Sequence, residues 1–302
     1  MQEMEFLFRG IWLPLVTPFR AHEVDYVALR RLVGHYRNSG LAGLVVCGST
    51  GEAAALDEAE QLAVLDTVLA EAGDLPVVMG LAGNHLRNVL ARLDRLRERP
   101  LAGVLTPAPY YIRPSQEGLQ GYFRELADRS RAPLLIYDIP YRTGVTLSLE
   151  TLLMLAGHGN IRGIKDCGGN AETTQALIAD GRLAMLAGED HQLLATLCMG
   201  GQGAIIASAH IRPDLFSALW QAVADQRLSD AQHLFHTLTP LIRLMFAQPN
   251  PGPVKALLAR QGWLSDELRL PMTPASAALA GQLAAVCEAL ETVRPDSLSQ
   301  RQ

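Results

Sequence analysis

The chain has 302 residues, of which 49% are hydrophobic and 19% are charged, and its net charge is −5. This composition suits one large α/β barrel or two average domains and argues against intrinsic disorder. The acidic balance and the lack of a basic block argue against a nucleic-acid partner. No uncharged apolar window is long enough to cross a membrane.

The compartment and the metal content are predicted from the termini, cysteines and histidines. The start of the chain carries Glu3 and Glu5, without a basic region ahead of an apolar run, and does not resemble a signal peptide. The four cysteines are far apart and are interpreted as buried thiols in a reducing compartment. His233 and His236 share a predicted helix face but lack a third ligand. We therefore expect a cytoplasmic protein without a metal site.

Short apolar runs alternate with amphipathic runs along most of the chain. Helix starts are marked by Asp57 with Glu60, a capping-box pattern, and by Ser115 and Ser148. A Gly-rich turn that would favour an open doubly wound sheet is missing after the first apolar run. The runs that predict strands are 11–19, 42–47, 76–81, 102–105, 133–137, 161–164, 183–186 and 203–207. Eight strand–helix units predict a closed (β/α)8 TIM barrel of the α/β class.

Beyond about residue 226 the pattern changes to helices only. The helical runs are 231–246, 253–261 and 274–291. No linker rich in Gly, Ser or Pro separates them from the preceding units. The sequence therefore predicts a catalytic barrel over 1–226 and a C-terminal helical region over 227–302 that packs on the barrel.

Lys165 closes the sixth apolar run and precedes a Cys-Gly-Gly-Asn turn. A lysine held at a strand end inside an apolar cavity loses hydration, which lowers its pKa. The neutral amine can then attack a carbonyl and form a Schiff base. On this stretch alone, a lysine that extends to solvent is the competing interpretation.

Other polar residues follow the predicted strands at the end where TIM barrels carry their active sites. Each has a plain structural explanation, such as a turn, aromatic packing or a surface ion pair. Together they favour a site with a lysine nucleophile, a proton shuttle and carboxylate-binding groups. These residues are Ser49, Thr50, Tyr110, Tyr111, Tyr137, Arg142 and Lys165.

The motifs around these residues resemble those of the class I aldolase superfamily of pyruvate-dependent lyases. Their closest pattern is that of the dihydrodipicolinate synthase branch. The resemblance runs from about Gly10 to the end of the chain. The matching segments are 48–52, 109–111, 113–118, 137–144, 163–165, 249–251, 253–255 and 269–274.

The resemblance implies how pyruvate would be bound and activated. Lys165 would form the Schiff base, while Thr50 and the backbone of Ile205 would hold the pyruvate. The iminium serves as the electron sink, so the resemblance implies neither a cofactor nor a metal. The implied reaction joins pyruvate to L-aspartate 4-semialdehyde and gives 4-hydroxy-tetrahydrodipicolinate, a step of lysine and diaminopimelate biosynthesis.

The resemblance also implies the proton relay and the acceptor site. Tyr137 would donate and accept protons, in a hydroxyl relay with Ser49 and with a Tyr111 that reaches in from a neighbouring subunit. Arg142 would bind the carboxylate of the semialdehyde. The implied assembly is a homotetramer built as a dimer of tight dimers.

Several positions depart from the synthase pattern. Ser49 stands where the synthases usually have Thr, and the resulting loop is equally typical of N-acetylneuraminate lyases. Asp138 replaces the usual Asn, and Asp166-Cys167 replaces the usual Glu-Ala or Glu-Thr. An extra carboxylate near the mouth would repel a dicarboxylate product or be neutralised by an arginine. A pyruvate aldolase for N-acetylneuraminate or 2-keto-3-deoxygluconate is therefore the alternative, and a non-catalytic scaffold homologue is the second alternative.

Feedback inhibition by lysine is predicted to be weak or absent. Asn84 and Tyr110 match the lysine site of some bacterial synthases. Glu58, Gln61 and Asn88 stand where those enzymes have His, His and Glu. Strong inhibition by sub-millimolar lysine would contradict this prediction.

Overall fold

The computed structural model describes residues 8–294. The chain start with Glu3 and Glu5, for which a prediction was made, lies outside these residues. The outer ends of the two predicted regions, 1–226 and 227–302, also lie outside them. The strands are β1 (Gly10–Pro14), β2 (Phe19–Arg20), β3 (Glu23–Val24), β4 (Gly43–Val46), β5 (Val77–Gly80), β6 (Gly103–Pro107), β7 (Leu134–Asp138), β8 (Ile161–Asp166), β9 (Ala184–Ala187) and β10 (Gly203–Ile205).

Eight of these strands form a closed barrel in the order β1-β10-β9-β8-β7-β6-β5-β4, while β2 and β3 form a separate antiparallel hairpin. The barrel strands are parallel and their residues are buried almost throughout. Burial on both faces explains why each strand is a continuous apolar run and not an alternating one. The predicted (β/α)8 fold is therefore confirmed.

Helices follow the barrel strands and continue to the C-terminal part of the chain. They are α1 (Tyr26–Tyr36), α2 (Glu58–Glu71), α3 (Leu86–Arg95), α4 (Gln116–Arg129), α5 (Pro140–Thr143), α6 (Leu149–Leu155), α7 (Ala171–Asp180), α8 (Leu193–Cys198), α9 (Pro213–Ala224), α10 (Leu228–Met245), α11 (Gly252–Arg260) and α12 (Ala277–Glu291). No helix among residues 8–294 is long and apolar enough to span a membrane.

The described residues divide into two compact units. The first unit comprises 8–9 and 77–205, and holds β5 to β10 with α3 to α8. The second unit comprises 10–76 and 206–294, and holds β1 to β4 with the remaining helices. The predicted boundary at residue 226 remains a prediction, because these units are built from different segments.

The predicted capping residues begin their helices as expected. The Asp57 side chain accepts from the Glu60 amide at 2.8 Å, and the Glu60 carboxylate accepts from the Asp57 amide at 3.0 Å. Ser115 and Ser148 accept from the amides of residues three positions later. Each cap satisfies an amide that has no partner within the first helical turn.

The first strand is shorter than predicted. The apolar run continues to Phe19, but β1 ends at Pro14. Phe19 instead begins the β2–β3 hairpin, whose turn places Ala21 and His22 at positive φ. Two consecutive residues of this conformation make a tight turn that suits the twist of a hairpin. Hydrophobicity alone does not distinguish a barrel strand from the buried loop that follows it.

Candidate active site

Lys165 and Tyr137 lie side by side near the ends of β8 and β7, where they are paired in register. Lys165 is 6% exposed and Tyr137 is 8% exposed. The Lys165 Nζ atom lies 4.4 Å from the centre of the Tyr137 ring. The predicted nucleophile and the predicted proton shuttle are thus neighbours on adjacent parallel strands.

The surroundings of Lys165 favour its neutral form. Burial lowers the pKa of the Lys165 amine, and the negative charges near it, including Glu189, only oppose that shift. Arg142 adds to the lowering. Lys165 forms no salt bridge within the described part of the chain. A buried amine without a carboxylate partner is the form of lysine that attacks carbonyl carbons.

A polar network surrounds the Lys165–Tyr137 pair. The Cys167 thiol hydrogen-bonds with Glu189 and with Tyr137, and burial raises the pKa of that thiol. The Tyr141 hydroxyl donates to Glu189 Oε1 at 2.9 Å. Sequence reasoning assigned no role to Glu189 or Tyr141, although Tyr141 lies inside a matching motif. Their contact joins residues 48 positions apart, so no local sequence pattern predicts it.

Arg142 lies on the short helix α5 and is exposed. Its guanidinium carbon is 5.8 Å from the centre of the Tyr141 ring. An arginine stacked on an aromatic ring loses less freedom when it binds a planar carboxylate. The Gly144 residue that ends α5 has φ +76°, a conformation that favours glycine.

Asp138 and Asp166 are paired in register one residue beyond the Tyr137–Lys165 pair. Asp166 accepts from the Gly168 amide at 2.8 Å and from the Thr174 hydroxyl at 2.6 Å. Asp138 Oδ1 has no hydrogen-bond partner among the described residues, and no arginine there neutralises it. Burial, followed by repulsion from Asp166, raises the pKa of Asp138 to about 7. A protonated carboxyl offers one donor and one acceptor, like the amide of the Asn usual at this position.

Thr50 and Ser49 belong to the second unit, in the loop 48–52 that follows β4. Thr50 is buried and Ser49 is exposed. The Asn250 amide donates to Thr50 Oγ1 at 2.8 Å. Asn250 lies in a matching motif, but sequence reasoning gave it no part in positioning Thr50.

The loop 48–52 is also held by a buried ion pair. Glu52 has φ 53°, which is uncommon for a residue with a side chain. Its carboxylate lies 2.5 Å from Lys255 Nζ, and Lys255 also donates to the Glu267 carbonyl at 2.9 Å. The Thr17 hydroxyl donates to the Gly51 carbonyl at 2.7 Å. These contacts fix the backbone that directly follows Thr50.

Tyr110, Tyr111 and Ile205, the remaining predicted site residues, lie in the first unit, and Tyr110 is exposed. Ile205 ends β10 and is 1% exposed. Tyr111 is 89% exposed, and its amide donates to the Thr143 carbonyl at 3.1 Å. The first unit thus contains Lys165 and five of the other predicted residues, while Ser49 and Thr50 belong to the second unit.

Comparison with known proteins decides the family. The profile of the Dihydrodipicolinate synthetase family matches residues 7–290. The chain belongs to this family. The 4-hydroxy-tetrahydrodipicolinate synthase of Trichlorobacter lovleyi is 37% identical over 284 residues, which cover 93% of this chain and 98% of that protein. The 4-hydroxy-tetrahydrodipicolinate synthase 2 of Clostridium acetobutylicum is 33% identical over 271 residues, covering 88% and 95%.

Solved structures of the family share the fold over nearly the whole chain. The chloride-inhibited dihydrodipicolinate synthase of Acinetobacter baumannii, complexed with pyruvate, has a TM-score of 0.91 at 29% identity and covers 94% of this chain and 99% of that one. The synthase of Cyanidioschyzon merolae, with lysine bound, has a TM-score of 0.92 at 28% identity and covers 96% and 100%. The predicted family and the predicted lyase class are confirmed, and the predicted function is the one for which these relatives are named.

Proposed function

We propose that this chain condenses pyruvate with L-aspartate 4-semialdehyde to give 4-hydroxy-tetrahydrodipicolinate. The observation that carries the proposal is Lys165, a buried amine with a lowered pKa, 4.4 Å from the Tyr137 ring and without a salt-bridge partner among the described residues. Membership of the family and the names of the relatives support the choice of substrates.

The lysine chemistry begins with attack of the Lys165 Nζ lone pair on the pyruvate ketone carbon. Loss of water from the resulting carbinolamine gives an iminium. The iminium withdraws electrons from the adjacent methyl group, so that loss of one methyl proton gives an enamine. The enamine carbon then attacks the aldehyde carbon of the second substrate, the aldehyde oxygen takes up a proton, and the iminium forms again. The amino group of the second substrate then attacks the iminium carbon, which closes the ring, and the Lys165 amine leaves with the proton that the attacking amine loses.

Every one of these steps moves a proton, and Tyr137 is the proposed donor and acceptor. Its hydroxyl would exchange protons through Ser49 and through a Tyr111 supplied by a neighbouring subunit. The exposure of the Tyr111 ring in a single chain supports a role for it outside its own subunit. Thr50 and the backbone of Ile205 would bind the pyruvate carboxylate and orient its ketone toward Lys165.

Arg142 is the proposed ligand of the semialdehyde carboxylate. Its exposed guanidinium, placed against the Tyr141 ring, presents a planar pair of donors. Asp138 gives specific support to the alternative, a pyruvate aldolase for N-acetylneuraminate or 2-keto-3-deoxygluconate. Above about pH 7 its carboxylate is ionised, and the negative charge disfavours a dicarboxylate product.

Rates with different aldehydes at one pyruvate concentration test the choice of acceptor. We expect aspartate semialdehyde to react about 10²-fold faster than N-acetylmannosamine or glyceraldehyde. Arg142→Leu should remove most of that preference, whereas Arg124→Leu, on the exposed face of α4, should keep it. Faster reaction with either sugar-like aldehyde would reject the semialdehyde in favour of the alternative. No reaction with any aldehyde would favour the scaffold homologue.

The proposed reaction uses neither a cofactor nor a metal, because the iminium already provides the electron sink. Residues 8–294 contain no group of three or more His, Cys, Asp or Glu side chains that could hold a metal. Dialysis against a chelator should therefore leave the rate unchanged. A rate that falls and is restored by a divalent ion would overturn this part of the proposal.

We also propose a cytoplasmic homotetramer that lysine inhibits weakly or not at all. The cysteines of the described residues are free thiols, which suits a reducing compartment, but the prediction of buried thiols is wrong for Cys198, which is exposed. The Asn84 side chain, one of the two matches to the lysine site, already accepts from the Tyr110 amide at 2.9 Å. Light scattering after gel filtration tests the assembly, and a rate titration into millimolar lysine tests the regulation.

A further inference from the structure

The start of α11 holds the loop 48–52 at two points. Asn250, two residues before α11, donates to the Thr50 hydroxyl at 2.8 Å. Lys255, within the first turns of α11, pairs with Glu52 at 2.5 Å. The two contacts lie on either side of Gly51, so both ends of this short stretch are fixed by the same segment.

The backbone that follows Asn250 is closely packed. A Cβ at Gly252 would approach the Thr273 carbonyl to 3.2 Å and the Ala275 amide to 3.4 Å, so the backbone after Asn250 packs closely on 273–275. The Gly252 amide also donates to the Pro249 carbonyl at 3.0 Å. A closely packed backbone limits the positions from which the Asn250 amide can donate to Thr50.

The contact with Asn250 decides what the Thr50 hydroxyl can do. A hydroxyl has one donor hydrogen and accepts through its lone pairs. Because the Asn250 Nδ2 group is a donor, Thr50 Oγ1 must be the acceptor in this contact. The Thr50 hydrogen is therefore left for a different acceptor, and no described residue supplies one. A carboxylate oxygen is the strongest acceptor that a small substrate brings.

We propose that Asn250 is a positioning residue for pyruvate, acting through Thr50. By donating to Thr50 Oγ1, Asn250 directs the hydroxyl hydrogen toward the pyruvate carboxylate. The same contact disfavours hydroxyl orientations in which that hydrogen does not reach the carboxylate. The inference rests on the proposed function, because it requires that pyruvate binds at Thr50. It adds to that function a residue whose effect is on pyruvate binding and not on the bond-forming step.

The experiment measures the pyruvate concentration that half-saturates Schiff-base formation, through borohydride trapping and intact mass spectrometry. The variants are Asn250→Leu, Thr50→Val and the double variant, all close in size to the native side chains. The matched control is Gln248→Leu, which removes an amide two residues away that contacts only Ser276 among the described residues. Unfolding midpoints report whether each variant folds.

We expect Asn250→Leu to raise the half-saturating pyruvate concentration about 10-fold, the loss of one hydrogen bond to a charged group. The same change in the Thr50→Val background should have less than about a 2-fold effect, because the hydroxyl it orients is gone. Gln248→Leu should leave the value unchanged. The KM for the aldehyde and kcat should change little in Asn250→Leu, a split that a general structural defect would not give.

Three results would overturn the proposed role of Asn250. Equal effects of Asn250→Leu in the native and Thr50→Val backgrounds would overturn the inference, because Asn250 would then act independently of Thr50. An unchanged pyruvate dependence in a folded Asn250→Leu variant would overturn it as well, while adduct formation would still support the proposed function. No pyruvate adduct in the folded native protein would overturn both.

Discussion

Two lysines occur in the 302 residues, and both are buried, but the groups that surround their amines differ. Lys255 is 0% exposed and has the Glu52 carboxylate at 2.5 Å, the Glu267 carbonyl at 2.9 Å and the Phe19 ring at 4.2 Å. Lys165 is 6% exposed and also lies against an aromatic ring, but no described residue forms a salt bridge with it.

The two lysines differ in their partners more than in their burial. Burial lowers the pKa of both lysines. At Lys255, the charge and the hydrogen bond of Glu52 oppose the lowering of the pKa. The N–H groups of the Lys255 ammonium point to the Glu52 carboxylate and the Glu267 carbonyl. Such a pair stabilises a loop conformation and leaves no lone pair for chemistry. At Lys165 no described residue provides such a partner, and this difference supports the proposed role of Lys165 as the Schiff-base residue.

The largest expected effect follows from replacing Lys165, the proposed Schiff-base lysine. Lys165→Met should lower kcat by about 10³-fold or more, because the other lysine, Lys255, is buried in an ion pair with Glu52. It should also raise the free energy of unfolding at pH 7. The lowered pKa means that the folded state binds fewer protons than the unfolded state, so this lysine costs stability until the pH nears its unfolded pKa. Steady-state rates and urea unfolding at pH 7 and pH 10 measure both effects. Retained activity would contradict the assignment of Lys165.

The next largest effect is on stability and follows from replacing Lys255. Lys255→Met should lower the free energy of unfolding by about 3–5 kcal/mol, because it leaves the Glu52 carboxylate buried and unpaired. The double variant with Glu52→Leu should recover much of that loss. Arg260→Met is the control on the same helix, since its pair with Glu288 is exposed and should contribute less than about 1 kcal/mol. A loss at Lys255 no larger than at Arg260 would show that the buried pair does not hold the loop.

Removing one hydroxyl sharpens the comparison between the two aromatic neighbours. Tyr137→Phe keeps the ring beside Lys165 and should lower kcat about 10²-fold, since proton transfer loses its donor. Pyruvate should still be trapped on Lys165, because the amine and its burial remain. Phe19→Leu, at the ring beside Lys255, should affect stability more than kcat. Full activity in Tyr137→Phe would assign the proton transfer to another group.

The smallest effect concerns Asp138, a buried carboxyl without a cation. Its folded pKa of about 7 exceeds the ordinary value of 3.8 for an aspartate, so the folded state binds one more proton than the unfolded state between these pH values. Stability from this group therefore falls as pH rises from about 4 to 7, and Asp138→Asn should gain on the order of 2 kcal/mol at pH 8 and little at pH 4. Asp94→Asn is the control of opposite sign, because the Arg129 hydrogen bond lowers the pKa of Asp94. A pH-independent difference for Asp138→Asn would reject the shift.

Local patterns were sufficient for much of the fold and for placing Lys165 near the end of a buried strand. The apolar runs located all eight barrel strands, and the cap at Asp57 formed as its capping-box pattern predicted. Lys165 was recognisable because a lysine at the end of a buried strand contradicts the ordinary preference of its type. β8 extends two residues beyond the predicted run, since parallel-strand pairing continues through Lys165 and Asp166.

The supporting contacts were not predictable from the same patterns. Asn250 and Thr50 are 200 residues apart, and Tyr141 and Glu189 are 48 apart. Each of these side chains is ordinary in its local context, and only the closed fold brings the members of each pair together. Sequence could also not decide whether Lys255 or Lys165 has a carboxylate partner, because Glu52 meets Lys255 through the tertiary fold.

Borohydride reduction in the presence of pyruvate, followed by peptide mass spectrometry, tests the central claim most directly. The chain provides a sharp comparison, because Lys165 and Lys255 are its only lysines. We expect one reduced pyruvyl group on the peptide containing Lys165, none on the peptide containing Lys255, and none in the Lys165→Met variant. An adduct on Lys255, or no adduct in protein shown to be folded, would contradict the assignment of Lys165 as the Schiff-base residue.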